Sequence, residues 1–193
     1  MFIAIELDAA ILRAVESVQN RLRGEPAGRF VRWASPLSIH LTLKFLGETP
    51  AGRERAVVAA LEAACARAPF ALVAEGIGCF PNLRRPRIVW VGVGGDMDAL
   101  SSLRASLEEH VSPLGYPTES RDFHPHLTLG RLHDARPCKA SAVGDLVQKT
   151  RVGRLGEMRV ARVSLMHSDL RPGGAVYTRL ADVPLGKQAA SGE

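Results

Sequence analysis

The sequence is poor in cysteine, in aromatic residues and in long apolar runs. Its three cysteines are widely spaced and odd in number, which fits neither a disulfide framework nor a CxxC metal knuckle. No stretch approaches the roughly 18 uninterrupted apolar residues that are needed to span a bilayer. The opening residues also lack the basic region of a signal peptide. We therefore expect a cytoplasmic chain that does not enter the membrane.

Several catalytic signatures are missing as well, among them HExxH, the P-loop and the nucleophile elbow. Gly92, Gly94 and Gly95 resemble part of a phosphate loop but lack the third glycine of GxGxxG, so we interpret them as a turn. His124 and His126 have a spacing that zinc and iron sites use, but such a site would need a third ligand. We predict that the protein uses no metal and no cofactor.

The composition describes an ordinary globular chain with a modest basic excess. It has 193 residues, of which 46% are hydrophobic and 23% are charged, and its net charge is +5. Arginine greatly outnumbers lysine, and guanidinium groups bind phosphate through two parallel hydrogen bonds. This balance favours phosphate-bearing partners, although an arginine-rich composition is also common in proteins that bind no nucleic acid.

Strand and helix patterns alternate along the chain, and a division near residue 85 separates two halves that each contain the tetrapeptide HLTL. We predict an α+β fold of two pseudo-symmetric lobes, each an antiparallel sheet with helices packed outside, around a central groove. Residues 1–193 would form one bilobal domain that arose by internal duplication. Strands are expected at 2–7, 30–33, 39–45, 70–74, 87–93, 126–132, 159–166 and 175–181, and helices at 8–23, 51–66, 96–111 and 141–149.

The two tetrapeptides are the most informative feature of the sequence. They are His40-Leu41-Thr42-Leu43 and His126-Leu127-Thr128-Leu129, and a shuffled chain of this composition would contain on the order of 10⁻³ copies. On a strand, histidine and threonine share one face while both leucines share the other. A single HxT pattern is more often a packed or solvated histidine. The matched pair instead indicates a duplicated site that faces a groove.

Two histidines that face one phosphate suit the hydrolysis of a cyclic phosphodiester. One neutral imidazole can accept a proton from water while a protonated one donates to the departing ribose oxygen. Thr42 and Thr128 would donate hydrogen bonds to the non-bridging oxygens. Arg131 is expected on the face of His126 if the strand continues, where it would add a charged contact to the phosphate. A solvated arginine at the end of the strand is the alternative.

Other basic and aromatic residues are candidates for contacts with RNA. Arg87 lies in an arginine-rich loop between Phe80 and Trp90, where guanidinium groups could bind the backbone and a ring could stack on a base. Tyr177 is a further stacking candidate, and so are Trp33 and Phe123. The alternative is a solvated loop beside core aromatics. The predicted substrate contacts are Phe80, Arg87, Arg131 and Tyr177.

These residues resemble the two-histidine phosphoesterase superfamily, and within it the RNA 2′,3′-cyclic phosphodiesterases, which are also described as 2′-5′ RNA ligase-like. The resemblance implies conversion of a 2′,3′-cyclic phosphate RNA end to a 2′-phosphomonoester, with weak reversible 2′-5′ joining. It also implies that His40 is the proton donor and His126 the acceptor. The segments that carry the resemblance are FIAIEL at 2–7, RW at 32–33 leading into HLTLKFLGE, PRIVW at 86–90, FHPHLTLGR at 123–131, and SDLRPG at 168–173 with Tyr177.

Two other functions remain open from the sequence. The chain could be a module that binds RNA ends without turnover, although such a binder has no need of two histidines. It could also be a related enzyme that acts on a small cyclic phosphate, such as a nucleotide or ADP-ribose derivative. The expected partner is RNA with a 2′,3′-cyclic phosphate terminus. No protein partner is implied, and we expect a monomer.

Overall fold

The computed structural model describes residues 1–50, 52–119, 122–171 and 174–186. Pro172 and Gly173 of the SDLRPG segment therefore lie outside the described residues. The elements are β1 Phe2–Glu6, α1 Ala9–Arg23, β2 Val31–Trp33, β3 His40–Phe45, α2 Glu54–Ala64, β4 Phe70–Phe80, β5 Ile88–Gly95, α3 Met97–Val111, β6 His126–Leu132, α4 Pro137–Lys149, β7 Arg154–Val160, β8 Arg162–Arg171 and β9 Gly174–Pro184.

The nine strands of the described chain form one antiparallel sheet in the order β7-β4-β5-β6-β3-β1-β8-β9, with β2 added beside β6. Two four-stranded halves meet where β3 and β6 cross, and one residue pair, Leu41 with Leu127, joins them. Helices α2 and α3 pack together on the half that contains β3, while α1 and α4 pack on the half that contains β6. The predicted α+β fold of two lobes with external helices is confirmed, and the sheets of the lobes are continuous.

The lobes do not divide the chain near residue 85. The hairpin of β4 and β5 spans that position, because β4 continues to Phe80 and pairs with β5 along its length. Strands β8 and β9 return to the half that contains β1 and β3. Each lobe therefore holds one HLTL strand, as expected, but the lobe of β3 is completed by the C-terminal hairpin.

The interpretation of Gly92, Gly94 and Gly95 as a turn was wrong for the first two, whereas Gly95 ends β5 with a positive φ of 96° just before α3. Gly92 and Gly94 lie inside β5, where Gly92 pairs with both Glu75 and His126. A Cβ at Gly92 would lie 2.8 Å from the carbonyl oxygen of Glu75, and real Cβ atoms essentially never show so short a contact. The glycine thus permits close approach of β4 rather than a change in chain direction.

The motif leucines lie on the helix-covered face of the sheet, in the main hydrophobic core. Leu41, Leu43, Leu127 and Leu129 are all fully buried there. The alternation of a strand then puts the motif histidines and threonines on the opposite face, which the helices leave open. Among the described residues, no helix is long and apolar enough to cross a membrane.

A buried polar side chain ties each motif strand to a helix. The Lys44 ammonium at the end of β3 donates to Glu108 of α3 at 2.6 Å and to the Pro117 carbonyl at 2.8 Å. The Gln19 amide of α1 donates to the Leu129 carbonyl of β6 at 2.9 Å and is completely buried. Because a buried polar group is costly without its partner, these contacts fix the position of each strand on its helix.

Candidate active site

The crossing of β3 and β6 assembles the two motifs into one site. Because Leu41 faces Leu127 in an antiparallel pair, His40 lies beside Thr128 and Thr42 beside His126. All four side chains line one cavity of about 810 Å³ and are half-buried. The sequence-based expectation that the two tetrapeptides share a groove agrees with this geometry.

The two motif histidines are held in the same way. Nδ1 of His40 lies 2.8 Å from the Ser38 carbonyl oxygen, and Nδ1 of His126 lies 2.6 Å from that of His124. A carbonyl oxygen can only accept a hydrogen bond, so each Nδ1 must carry the proton. Nε2 is therefore the nitrogen of each ring that is available to gain or lose a proton.

Aromatic rings fix the orientation of both imidazoles. His40 stacks on Phe2 at a centroid distance of 4.7 Å, and Tyr177 meets its ring edge-on at 5.2 Å. Phe80 meets His126 edge-on at 4.8 Å. Phe80 and Tyr177 both line the cavity, where Phe80 lies closest to His126 and Tyr177 contacts both Phe2 and His40.

Arg131 faces the cavity because β6 is irregular at this point. Regular alternation from His126 would put Arg131 on the leucine face. The pairing of β6 with β5 shifts between Thr128 and Gly130, so Leu129 is an extra residue that forms a β-bulge. Beyond this bulge the alternation is reversed, and Arg131 lines the cavity with His126. The expected position of Arg131 agrees with the structure although the reason given for it was wrong, and its contact with the phosphate stays a prediction.

The same irregularity occurs in β3. Its pairing with β1 shifts between Thr42 and Lys44, so Leu43 is the extra residue. Beyond it, Phe45 pairs with Phe2 and lines the cavity. The fifth position after each motif histidine therefore faces the cavity, and it is phenylalanine in one lobe and arginine in the other.

A second arginine, Arg32 of β2, also lines the cavity and pairs with Arg131. It approaches because residue 130 is glycine: a Cβ there would lie 2.6 Å from Val31 and 2.8 Å from the Arg32 carbonyl oxygen. Sequence reasoning did not assign Arg32 to the site. The glycine that follows the second HLTL was a possible signal of close strand approach.

Arg87 is the one predicted substrate contact that does not line the cavity. Its side chain is exposed, and its backbone N–H donates to the Phe80 carbonyl oxygen at 2.7 Å, which closes the turn between β4 and β5. Its register position, next to Ile88 at the cavity wall, puts it at the rim. A contact of Arg87 with RNA beyond the terminal nucleotide stays a prediction.

The electrostatic surroundings of the two histidines differ. The register neighbour of His40 is Glu6, whereas that of His126 is Gly92, which has no side chain. Burial lowers the pKa of His40, and the Glu6 carboxylate acts in the opposite direction. Burial also lowers the pKa of His126, and the positive charge of Arg131 lowers it further. The pKa of both rings is lowered, and the neighbouring charge adds to this effect at His126 but opposes it at His40.

No group of three or more metal-binding side chains comes together within the described ranges. His124 is exposed, and its carbonyl rather than its ring supports His126. Metal-independent chemistry stays a prediction that a chelator can test.

Two lobes that present paired histidines and threonines to one groove define a two-histidine phosphoesterase site. The family model of the 2′-5′ RNA ligase superfamily matches residues 8–172. The chain belongs to this superfamily, as the sequence predicted.

Curated relatives and solved structures agree with that assignment. An RNA 2′,3′-cyclic phosphodiesterase of Methanothermobacter thermautotrophicus is 34% identical over 92% of this chain and 94% of its own length. One from Archaeoglobus fulgidus is 34% identical over 93% and 97%. The structure of LigT from E. coli with 3′-AMP has a TM-score of 0.74 at 26% identity, covering 96% of this chain and 97% of that chain. The predicted enzyme class, a phosphodiesterase, is confirmed by this set of relatives.

Proposed function

We propose that this protein hydrolyses the 2′,3′-cyclic phosphate at the end of an RNA chain to a 2′-phosphomonoester by general acid and base catalysis. The observation that carries the proposal is the crossing of β3 and β6, which brings His40, Thr42, His126 and Thr128 into one cavity. The cavity is large enough for a terminal nucleotide, and the relatives named above are RNA 2′,3′-cyclic phosphodiesterases.

The reaction uses Nε2 of both imidazoles. Neutral His126 takes a proton from water as the water oxygen attacks phosphorus opposite the ribose O3′. As the P–O3′ bond breaks, protonated His40 gives its Nε2 proton to O3′, so a free 3′-hydroxyl and a 2′-phosphate leave. Thr42 and Thr128 donate hydrogen bonds to the non-bridging oxygens while charge accumulates there. Arg131 adds a charge-assisted contact to the same oxygens.

The neighbouring charges support His40 as donor and His126 as acceptor. A donor must hold its proton before the reaction, and the Glu6 carboxylate beside His40 favours that charged form. An acceptor must begin neutral, and Arg131 favours the neutral form of His126. The identical tetrapeptides could not assign these roles, whereas their different neighbours support this assignment.

The decisive experiment uses an RNA oligonucleotide that ends in a 2′,3′-cyclic phosphate, incubated with the protein and a chelator. We expect a 2′-phosphate product, identified by ³¹P NMR. A His126→Ala protein purified in the same way controls for contaminating nucleases. Formation of a 3′-phosphate, or loss of turnover with the chelator, would refute the proposed chemistry.

The same assay separates the other candidate functions. With a binding module, the cyclic end would remain unreacted over hours. The affinity of the protein for that end would fall with added salt. An enzyme for small cyclic phosphates would turn over a mononucleotide 2′,3′-cyclic phosphate faster than the oligonucleotide. Because each step is reversible, we also propose weak 2′-5′ joining when a second RNA supplies a 5′-hydroxyl in place of water.

A further inference from the structure

Phe45 is an exposed aromatic ring that the proposed chemistry does not use. Its side chain is 62% exposed, yet it lines the cavity at the end of β3. Its backbone is fixed, because Phe45 pairs with Phe2 of β1 and the next residue, Leu46, donates its N–H to the Met1 carbonyl at 3.0 Å. A ring that is anchored through its strand, largely exposed and located in the lining of a binding cavity is suited to stacking against a flat ligand.

The direction of the proposed reaction determines on which side of the cavity the nucleoside lies. The leaving O3′ faces His40 and the attacking water faces His126, since these two atoms are in line on either side of phosphorus. The ribose that carries O3′ is therefore on the His40 side of the cavity. Phe45 belongs to the same strand as His40, beyond the bulge at Leu43.

The charges of the cavity favour phosphate on one side and the base on the other. Arg32 and Arg131 pair with each other on the His126 side, where they attract phosphate. Glu48 lies three residues after Phe45, is exposed and lines the cavity near that end. A carboxylate repels phosphate but accepts hydrogen bonds from the N–H groups of a neutral base.

Two other rings are less available for stacking. Tyr177 meets both Phe2 and His40 edge-on, and Phe80 packs against Trp90 and His126. Both are only half-exposed. Phe45 contacts only Phe2 among the described aromatic residues, at a centroid distance of 6.2 Å, so its outer face is open.

From the bulge register, the exposure and the charge distribution, we infer that Phe45 is the stacking platform for the terminal base of the RNA. This inference rests on the proposed function, because the direction of the reaction puts the ribose on this side. It differs from the sequence-based expectation, which assigned base stacking to Phe80 or Tyr177.

The test is a binding measurement that needs no turnover. Two oligonucleotides end in the same 2′-phosphate, one on adenosine and one on an abasic ribose, and their Kd values are measured by fluorescence anisotropy. We expect Phe45→Ala to weaken binding of the adenosine end by about 5- to 150-fold, the range expected for one stacked base. Binding of the abasic end should change by less than about twofold, because the abasic ribose has no ring to stack.

Two variants control for the fold and for general surface effects. Phe45→Trp keeps an aromatic face and should preserve the preference for the adenosine end. Leu37→Ala removes an apolar side chain that is 89% exposed and lies outside the cavity lining, so it should leave both Kd values unchanged.

The outcomes separate this inference from the proposed function. If Phe45→Ala weakens both ends equally, or neither, the stacking role is overturned even when cyclic ends are hydrolysed. If the protein binds the adenosine end more tightly through Phe45 but does not hydrolyse cyclic ends, the stacking role of Phe45 is supported and the proposed hydrolysis is refuted.

Discussion

Replacing His126 or His40 with alanine removes one of the two proposed proton-transfer groups and leaves the proposed phosphate-binding groups in place. General acid or base catalysis contributes about 10²- to 10⁴-fold to a reaction, and we expect a loss of that size in kcat for each single variant. The double variant should lose less than the product of the two, because both rings act on one chemical step. KM should change little in comparison, since the transferred proton matters only in the transition state.

These substitutions should destabilise the fold so little that the loss of stability can be distinguished from a loss of turnover. His40 stacks on Phe2, and an aromatic pair contributes about 0.5–1.5 kcal/mol. For a chain of this length that corresponds to a fall in Tm of about 1 to 6 °C. Kinetics at 25 °C, with Tm measured by calorimetry on the same samples, therefore distinguish lost chemistry from lost folding.

The matched control is His110→Ala. His110 lies in α3, outside the cavity lining, and its Nδ1 lies 2.8 Å from the Ser106 carbonyl oxygen, the same kind of contact that holds the motif histidines. We expect nearly wild-type turnover. If either motif variant also keeps full turnover, or if His110→Ala loses as much, the paired roles of His40 and His126 are refuted.

Two further predictions concern the neighbours of the histidines. Glu6→Gln removes a carboxylate that acts to raise the pKa of His40, so the fall of kcat/KM at high pH should move to lower pH. The control is Asp182→Asn, which removes another carboxylate of the same ion-pair group and should leave that limb in place. If the low-pH limb moves instead, His40 is the base. Thr42→Val and Thr128→Val each remove a hydroxyl donor to a charged phosphate and should lower kcat/KM by about 10- to 150-fold. The matching serine variants keep the hydroxyl, and an equal loss in them would contradict the hydrogen-bonding role.

The sequence predicted the parts of the site that depend on local periodicity. The period of two within HLTL correctly put His40 and Thr42 on one face and Leu41 and Leu43 on the other, because alternation is a property of any strand. The duplicated tetrapeptide also predicted two lobes, although the boundary near residue 85 was misplaced. A boundary depends on which distant strands pair, and β8 and β9 join the first lobe only through long-range contacts.

The positions beyond each motif could not be predicted in this way. A bulge at Leu129 reverses the alternation that follows it, and a single sequence does not show where a ladder admits an extra residue. Arg32 was missed for a related reason, because its place opposite Arg131 depends on the pairing of β2 with β6. The neighbours of His40 and His126 are likewise set by register between strands that lie far apart in the sequence.

The two HLTL motifs are identical but their surroundings are not, and the proposed reaction depends on that difference. In a symmetric pair of histidines, either ring could serve as the proton donor. Here the position opposite one histidine is Glu6 and the position opposite the other is Gly92, and the cavity-facing residue beyond each bulge is Phe45 in one lobe and Arg131 in the other. The carboxylate favours a charged imidazole on the side where the ring of Phe45 can hold a base. The arginine favours a neutral imidazole on the side where the proposed reaction develops phosphate charge, so the proposed proton direction and substrate orientation both depend on the same differences between the lobes.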